Sequence, residues 1–157
     1  MANALSNLEI IDIIKTRNLE KHFGGVYSKD QLPERLPSQA HASELIKDKF
    51  YIVNLQDHDE GGGTHLTAFY YNYPSTSIYF DSYGFISPQD VQKRITPYIF
   101  NDAEIQDFNS SACGYFCVAF IKFLHNKADK QEAYKTFLKL FKLNTLKNDK
   151  ILQQLLY

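Results

Sequence analysis

His65, Asp81, Gln106 and Cys113 follow one another in the order a thiol hydrolase needs, each in a supporting local context: GGGTHLTAF, SIYFDSYGF and QDFNSSACGYFC. A cysteine attacks carbonyls as its thiolate, and a helix N-terminus favours that anion through unpaired amides and the macrodipole. Cys113 opens an apolar helical stretch behind Asn109, Ser110 and Ser111, which are capping residue types. A neighbouring imidazolium stabilises the thiolate further. Gly114 leaves space for a substrate backbone to approach.

His65 stands at the start of a strand-like run behind Gly61, Gly62 and Gly63, so a strand would hold its ring while the glycines let a substrate chain lie close; Gly62 and Gly63 are therefore expected in substrate binding with Gly114. Of the other histidines, His125 falls twelve residues beyond Cys113, about 18 Å along a continuous helix, too far to pair with it. His22 and His41 lack supporting features, and His58, in the polar QDHDE segment, is the competitor. If residues 64–71 and 77–83 form a hairpin, His65 and Asp81 become neighbours, and the carboxylate fixes the imidazole tautomer and favours its charged form. Gln106 is a donor that never ionises, suited to hold an oxyanion together with the Cys113 amide. For each residue a plainer role exists: a buried small hydrophobe for Cys113, a half-exposed strand histidine for His65, a turn cap for Asp81 and a surface strand residue for Gln106.

Cys117 lies one helical turn from Cys113, with Cβ atoms about 5–6 Å apart, beyond an unstrained disulfide, and is expected to pack in the core. No CxxC or HxxxH pair marks a zinc site, so no metal is expected.

These residues need a scaffold of one domain, residues 1–157. With 44% hydrophobic and 22% charged residues the composition is that of a globular protein, and no segment reaches the roughly 18 apolar residues of a membrane span. Two closely spaced cysteines cannot build a secreted disulfide framework, so a reducing compartment is expected. The net charge of −1 gives no global signal for nucleic acid, yet eight lysines (Lys122, Lys127, Lys130, Lys135, Lys139, Lys142, Lys147 and Lys150) fall in the last 36 residues. They read as the solvated faces of two helices, with DNA or another polyanion as the alternative partner.

Along the chain, residues 4–22 read as a helix with a Ser6/Glu9 capping box, ended by Gly24-Gly25. A loop with Pro33 and Pro37 follows, then strands at 50–55, 64–71 and 77–83. Ser87 and Pro88 read as N-cap and first residue of a short helix that Pro97 stops. A fourth strand near 104–108 carries Gln106, and helices at about 112–126, 130–143 and 145–156 complete the chain. A run of strands between flanking helices predicts an α+β fold.

At the three quoted segments, and over residues 19–124, the chain resembles the adenain-like maturation cysteine proteases of adenoviruses and the wider clan that includes SUMO-deconjugating proteases. The seven-residue step from Gln106 to Cys113 matches the viral branch, and FGGVYSKDQLP is similar to its N-terminal segment. The compact length suits the virophage and Polinton-like members. The resemblance implies an adenain-like α+β fold with a central, mostly antiparallel sheet flanked by helices. It implies a cysteine endopeptidase that uses Cys113, His65, Asp81 and Gln106 to process viral capsid precursors with small residues, especially glycine, around the cut. Such an enzyme acts in the host cytoplasm or nucleus during assembly and is packaged in the virion. Alternatives are a ubiquitin- or SUMO-like deconjugating protease, a thiol acyltransferase, and a non-catalytic capsid-associated module. Leu66 replaces the tryptophan common after the histidine, Asp81 stands where adenoviruses have glutamate, and no third cysteine is present to tether a peptide cofactor. No cofactor is therefore expected to be required, with DNA or a viral peptide as candidate stimulators.

Overall fold

A computed structural model describes residues 5–35, 44–56, 65–107 and 110–157. Five strands, β1 (Phe23–Ser28), β2 (Lys49–Asn54), β3 (Leu66–Tyr71), β4 (Ser77–Phe80) and β5 (Tyr98–Phe100), form one sheet in the order β1-β2-β3-β4-β5. The β2-β3 and β3-β4 pairs are antiparallel, whereas β1 runs parallel to β2 and β5 parallel to β4. The fold is α+β as expected, but the sheet is mixed rather than mostly antiparallel. Its antiparallel centre carries a parallel strand on each edge, because β1 and β5 are reached by long connections instead of tight turns.

Both faces of the sheet are covered. Phe50, Ile52, Ala68, Tyr70, Ile78 and Phe80 meet helices α1 (Asn7–Thr16), α3 (Cys113–Leu124), α4 (Lys130–Lys139) and α5 (Asn148–Leu156). The alternate residues Tyr51, Val53, Phe69, Tyr71 and Tyr79 pack with Leu32, Leu45 and Val91 and Ile95 of α2 (Gln89–Ile95). Burial on both sides explains why the central strands read as continuous apolar runs without alternation. Helix α3 is buried around most of its circumference, as its apolar sequence requires, and its backbone crosses beneath β3.

The expected Ser6/Glu9 capping box is present, with Glu9 N–H donating to Ser6 Oγ at 3.1 Å and Ser6 N–H to Glu9 Oε1 at 3.0 Å. Helix α1 ends well before residue 22, however. Asn18 adopts φ 58°, and Leu19 N–H reaches Ile14 O at 2.9 Å while Asn18 N–H reaches Lys15 O at 3.1 Å, a Schellman stop made by asparagine. Gly24-Gly25 does not end a helix; it lies inside β1, which the sequence reading missed. A Cβ on Gly24 would come 2.2 Å from the Tyr51 ring, so the glycine admits a neighbouring aromatic across the strand pair.

The strand expected near 104–108 is also absent among the described residues. The Ile105 and Gln106 amides both donate to the single carbonyl of Ser82, at 2.8 and 2.9 Å, which holds this segment as an irregular loop. The strand that follows the hairpin is instead β5, and the N-cap of α2 is Pro88, one residue beyond the expected Ser87. The two C-terminal helices lie within their expected ranges but are shorter, α4 stopping at Lys139.

Candidate active site

The β3-β4 hairpin brings His65 and Asp81 together. Ala68 pairs with Phe80, so the residue before β3 and the residue after β4 lie at the same end of the ladder. His65 stays in line with the sheet because its carbonyl accepts the Leu55 amide at 3.0 Å. Asp81 is clamped through its backbone: its N–H donates to Asn101 Oδ1 at 3.1 Å, and Asn101 Nδ2 donates back to the Asp81 carbonyl at 2.6 Å. Asn101 is in turn held by the buried Tyr134 of α4, whose hydroxyl lies 2.9 Å from the same Oδ1.

His65 Nε2 is 2.7 Å from Asp81 Oδ1, with the carboxylate buried and the ring 14% exposed. Asp81 Oδ1 also accepts the Tyr83 amide at 2.8 Å. Because Asp81 occupies Nε2, Nδ1 is the nitrogen left for a thiol. It is buried without a well-formed hydrogen bond, and Cys113 is close enough to act on the ring electrostatically. Burial opposes charge on the imidazole, but Asp81, followed by Cys113, outweighs it and raises the His65 pKa to about 9. Tyr83 stacks on the same ring, centroids 4.4 Å apart and planes 18° from parallel.

Cys113 is the first residue of α3 and only 4% exposed. The N-cap is Ala112, which has no side-chain acceptor, in place of the capping expected from residues 109–111; Ser110 Oγ accepts the Ala112 amide at 3.2 Å. Ala112 makes no side-chain cap hydrogen bond, and a helix start favours an anion through its amides and dipole. Cys117 is fully buried, its thiol donates to the Leu66 carbonyl at 3.5 Å, and burial raises its pKa strongly, in keeping with the expected core role.

Gln106 is not a surface residue: it is fully buried in the loop beside Ser82. Ser82 Oγ donates to Gln106 Oε1 at 2.6 Å, while Gln106 Nε2 donates to the Ser110 carbonyl at 2.8 Å and lies 3.5 Å from the Tyr83 hydroxyl. Gly114, expected in substrate binding, lies in the first turn of α3. It is buried, and a Cβ there would meet Leu5 and Leu66 side chains at 3.1–3.2 Å, so the missing side chain serves helix packing. Gly62, Gly63 and the competing His58 lie outside the described residues.

No family model matches the chain, and no curated protein matches it in sequence.

His22 and His125 pair edge-on at 5.0 Å at the far end of α3, where burial and nearby lysines lower both pKa values. His125 is thus remote from Cys113, as helix geometry required. Among the described residues no group of three or more His, Cys, Asp or Glu side chains could hold a metal ion, and no helix is long and apolar enough to cross a membrane. Several of the C-terminal lysines are engaged locally: Lys122 Nζ donates to Leu156 O at 3.0 Å, Lys130 Nζ to Lys127 O at 2.6 Å, and Lys135 pairs with Glu132 at 3.4 Å.

Four supporting residues were not singled out from sequence. Ser82 and Tyr83 lie inside the DSYG segment next to Asp81, so proximity to a candidate acid was an available signal. Asn101 and Tyr134 carried none, because only the fold brings Asn101 to Asp81 and Tyr134 to Asn101.

Proposed function

We propose that this chain is a cysteine endopeptidase of the adenain-like type, processing viral structural protein precursors. The observation that carries the reading is the His65–Asp81 pair, with a buried Nδ1 left over, beside a cysteine that opens a helix. In the proposed reaction the Cys113 thiolate attacks the scissile carbonyl and forms a C–S bond. The resulting oxyanion accepts hydrogen bonds from the Cys113 amide and Gln106 Nε2. His65, protonated across the neutral range, gives its proton to the leaving amine as the C–N bond breaks. The neutral imidazole then takes a proton from water, which attacks the acyl-enzyme and releases the thiolate. Asp81 holds the ring in one tautomer throughout.

The viral precursor substrate rests on the resemblance of the three motif segments, as does the virion setting. Stimulation by DNA through the lysines between Lys122 and Lys150 belongs to the same proposal. Co-expression with candidate capsid proteins, comparing wild type with Cys113→Ala by intact mass, tests the reading. New precursor termini made only by the wild type are expected. Cleavage restricted to ubiquitin-like fluorogenic substrates would move the protein to the deconjugating branch, and no thiol-dependent cleavage of either class would remove the peptidase reading.

A further inference from the structure

Tyr83 meets Asp81, His65 and Gln106 through its amide, its ring and its hydroxyl. Its amide donates to Asp81 Oδ1 at 2.8 Å, its ring lies flat on His65 with centroids 4.4 Å apart, and its hydroxyl donates to the Ser110 carbonyl at 3.2 Å. The same hydroxyl sits 3.5 Å from Gln106 Nε2. An aliphatic residue would fill the space but supply neither the π-face nor the hydroxyl.

We propose that Tyr83 is a positioning residue that couples the two halves of the site: its ring favours the protonated form of His65, and its hydroxyl aims the Gln106 amide. The catalytic consequence rests on the peptidase reading, whereas both couplings exist in the protein without substrate. A nearly parallel ring presents its electron-rich face to an imidazolium, a cation–π arrangement. Titratable groups acting on the imidazole are Asp81 and Cys113; those acting on the phenol are Cys113, Asp81, Asp107 and Glu104, with burial the largest influence keeping it protonated.

The Gln106 amide nitrogen has two hydrogens. One is committed to Ser110 O at 2.8 Å. The other points toward a phenol oxygen at 3.5 Å, too long for a strong bond. That hydrogen is oriented without being consumed, which is the state an oxyanion donor needs before substrate arrives.

Two substitutions separate the couplings, read by NMR titration of His65 and by hydrogen exchange of the Gln106 side-chain amide. Tyr83→Phe keeps the ring, so His65 should titrate as in the parent. Its Gln106 side-chain amide protons should exchange faster, and peptide turnover should lose several-fold in kcat at unchanged KM. Tyr83→Met removes the ring face, and His65 should titrate roughly half a unit lower. Tyr83→Leu replaces methionine if that variant does not fold.

Parent-like His65 titration without the ring overturns the proposal, as does a Tyr83→Phe shift equal to the methionine one. Unchanged Gln106 exchange in Tyr83→Phe also overturns it. If no form cleaves peptides, the peptidase reading fails, and the titration and exchange measurements still decide the couplings.

Discussion

Gln106 Nε2 donates to the Ser110 carbonyl at 2.8 Å, and this acceptor-only partner fixes which end of the buried amide is the nitrogen. The carbonyl end accepts from Ser82 Oγ at 2.6 Å, and a flipped amide would set the Gln106 oxygen against the Ser110 carbonyl oxygen. Through its hydroxyl, the residue after the candidate acid braces the candidate oxyanion donor.

Gln106→Ala is therefore expected to lower kcat by about 10²–10³ with little change in KM. Ser82→Ala should produce a smaller loss in the same parameter, because the amide remains but its orientation loosens. Steady-state kinetics on a peptide substrate checks both, and a Ser82→Ala variant indistinguishable from wild type would break the link.

The two cysteines should differ sharply in reactivity. Cys113 sits at a helix start beside a charged imidazole, whereas Cys117 is sealed in the core with a raised pKa. Iodoacetamide under native conditions should label Cys113 first, as peptide mapping would reveal; equal labelling would count against an activated thiol. Cys113→Ala should abolish turnover while leaving the melting temperature near that of the parent.

The His65–Asp81 pair also predicts a pH dependence of stability. A histidine whose folded pKa is raised from 6.5 to about 9 stabilises the fold fully below about pH 6.5. That contribution fades as pH rises through about 9 and is at most on the order of 3 kcal/mol. Denaturant midpoints between pH 6 and 10 should fall along this course in the wild type and more weakly in Asp81→Asn, whose His65 pKa drops. Parallel curves for the two proteins would exclude the pair as the source.

Asn101 should matter to both stability and activity. Its side chain bonds both backbone polar groups of Asp81 and receives the Tyr134 hydroxyl. Asn101→Ala leaves buried partners unsatisfied, at a cost of about 2–4 kcal/mol, and frees the candidate acid to move. Urea unfolding and kcat should fall together, and a stable Asn101→Ala protein with full turnover would refute the clamp.

The candidate site was legible where its residues sit in local patterns. His65 at a strand start, Asp81 at a strand end and Cys113 at the head of an apolar run all carry short-range signals, and the hairpin needed only one turn to bring the first two together. Helix periodicity likewise excluded His125 and placed Cys117 in the core. Signals failed where a local pattern had two structural uses. Gly24-Gly25 resembles a helix stop, yet Gly24 makes room for Tyr51 in an edge strand; Asn18 supplied the actual stop. Residues 104–108 have strand composition, but two of their amides are drawn to the Ser82 carbonyl instead of to a neighbouring strand.

Sequence by itself determined the α+β class, the capping box, the central strands and the order of the candidate catalytic residues, because each depends on neighbours within a turn or a hairpin. Only the tertiary structure decided that both edges of the sheet run parallel and that Gln106 is buried with its nitrogen toward Ser110. It also decided that Gly114 packs against Leu5 and Leu66, and that Asn101, Tyr134 and Tyr83 support the site. Most of these depend on groups from separate elements meeting in a desolvated interior. There, unpaired amides and carboxylates are costly, and whichever distant partner satisfies them sets the geometry.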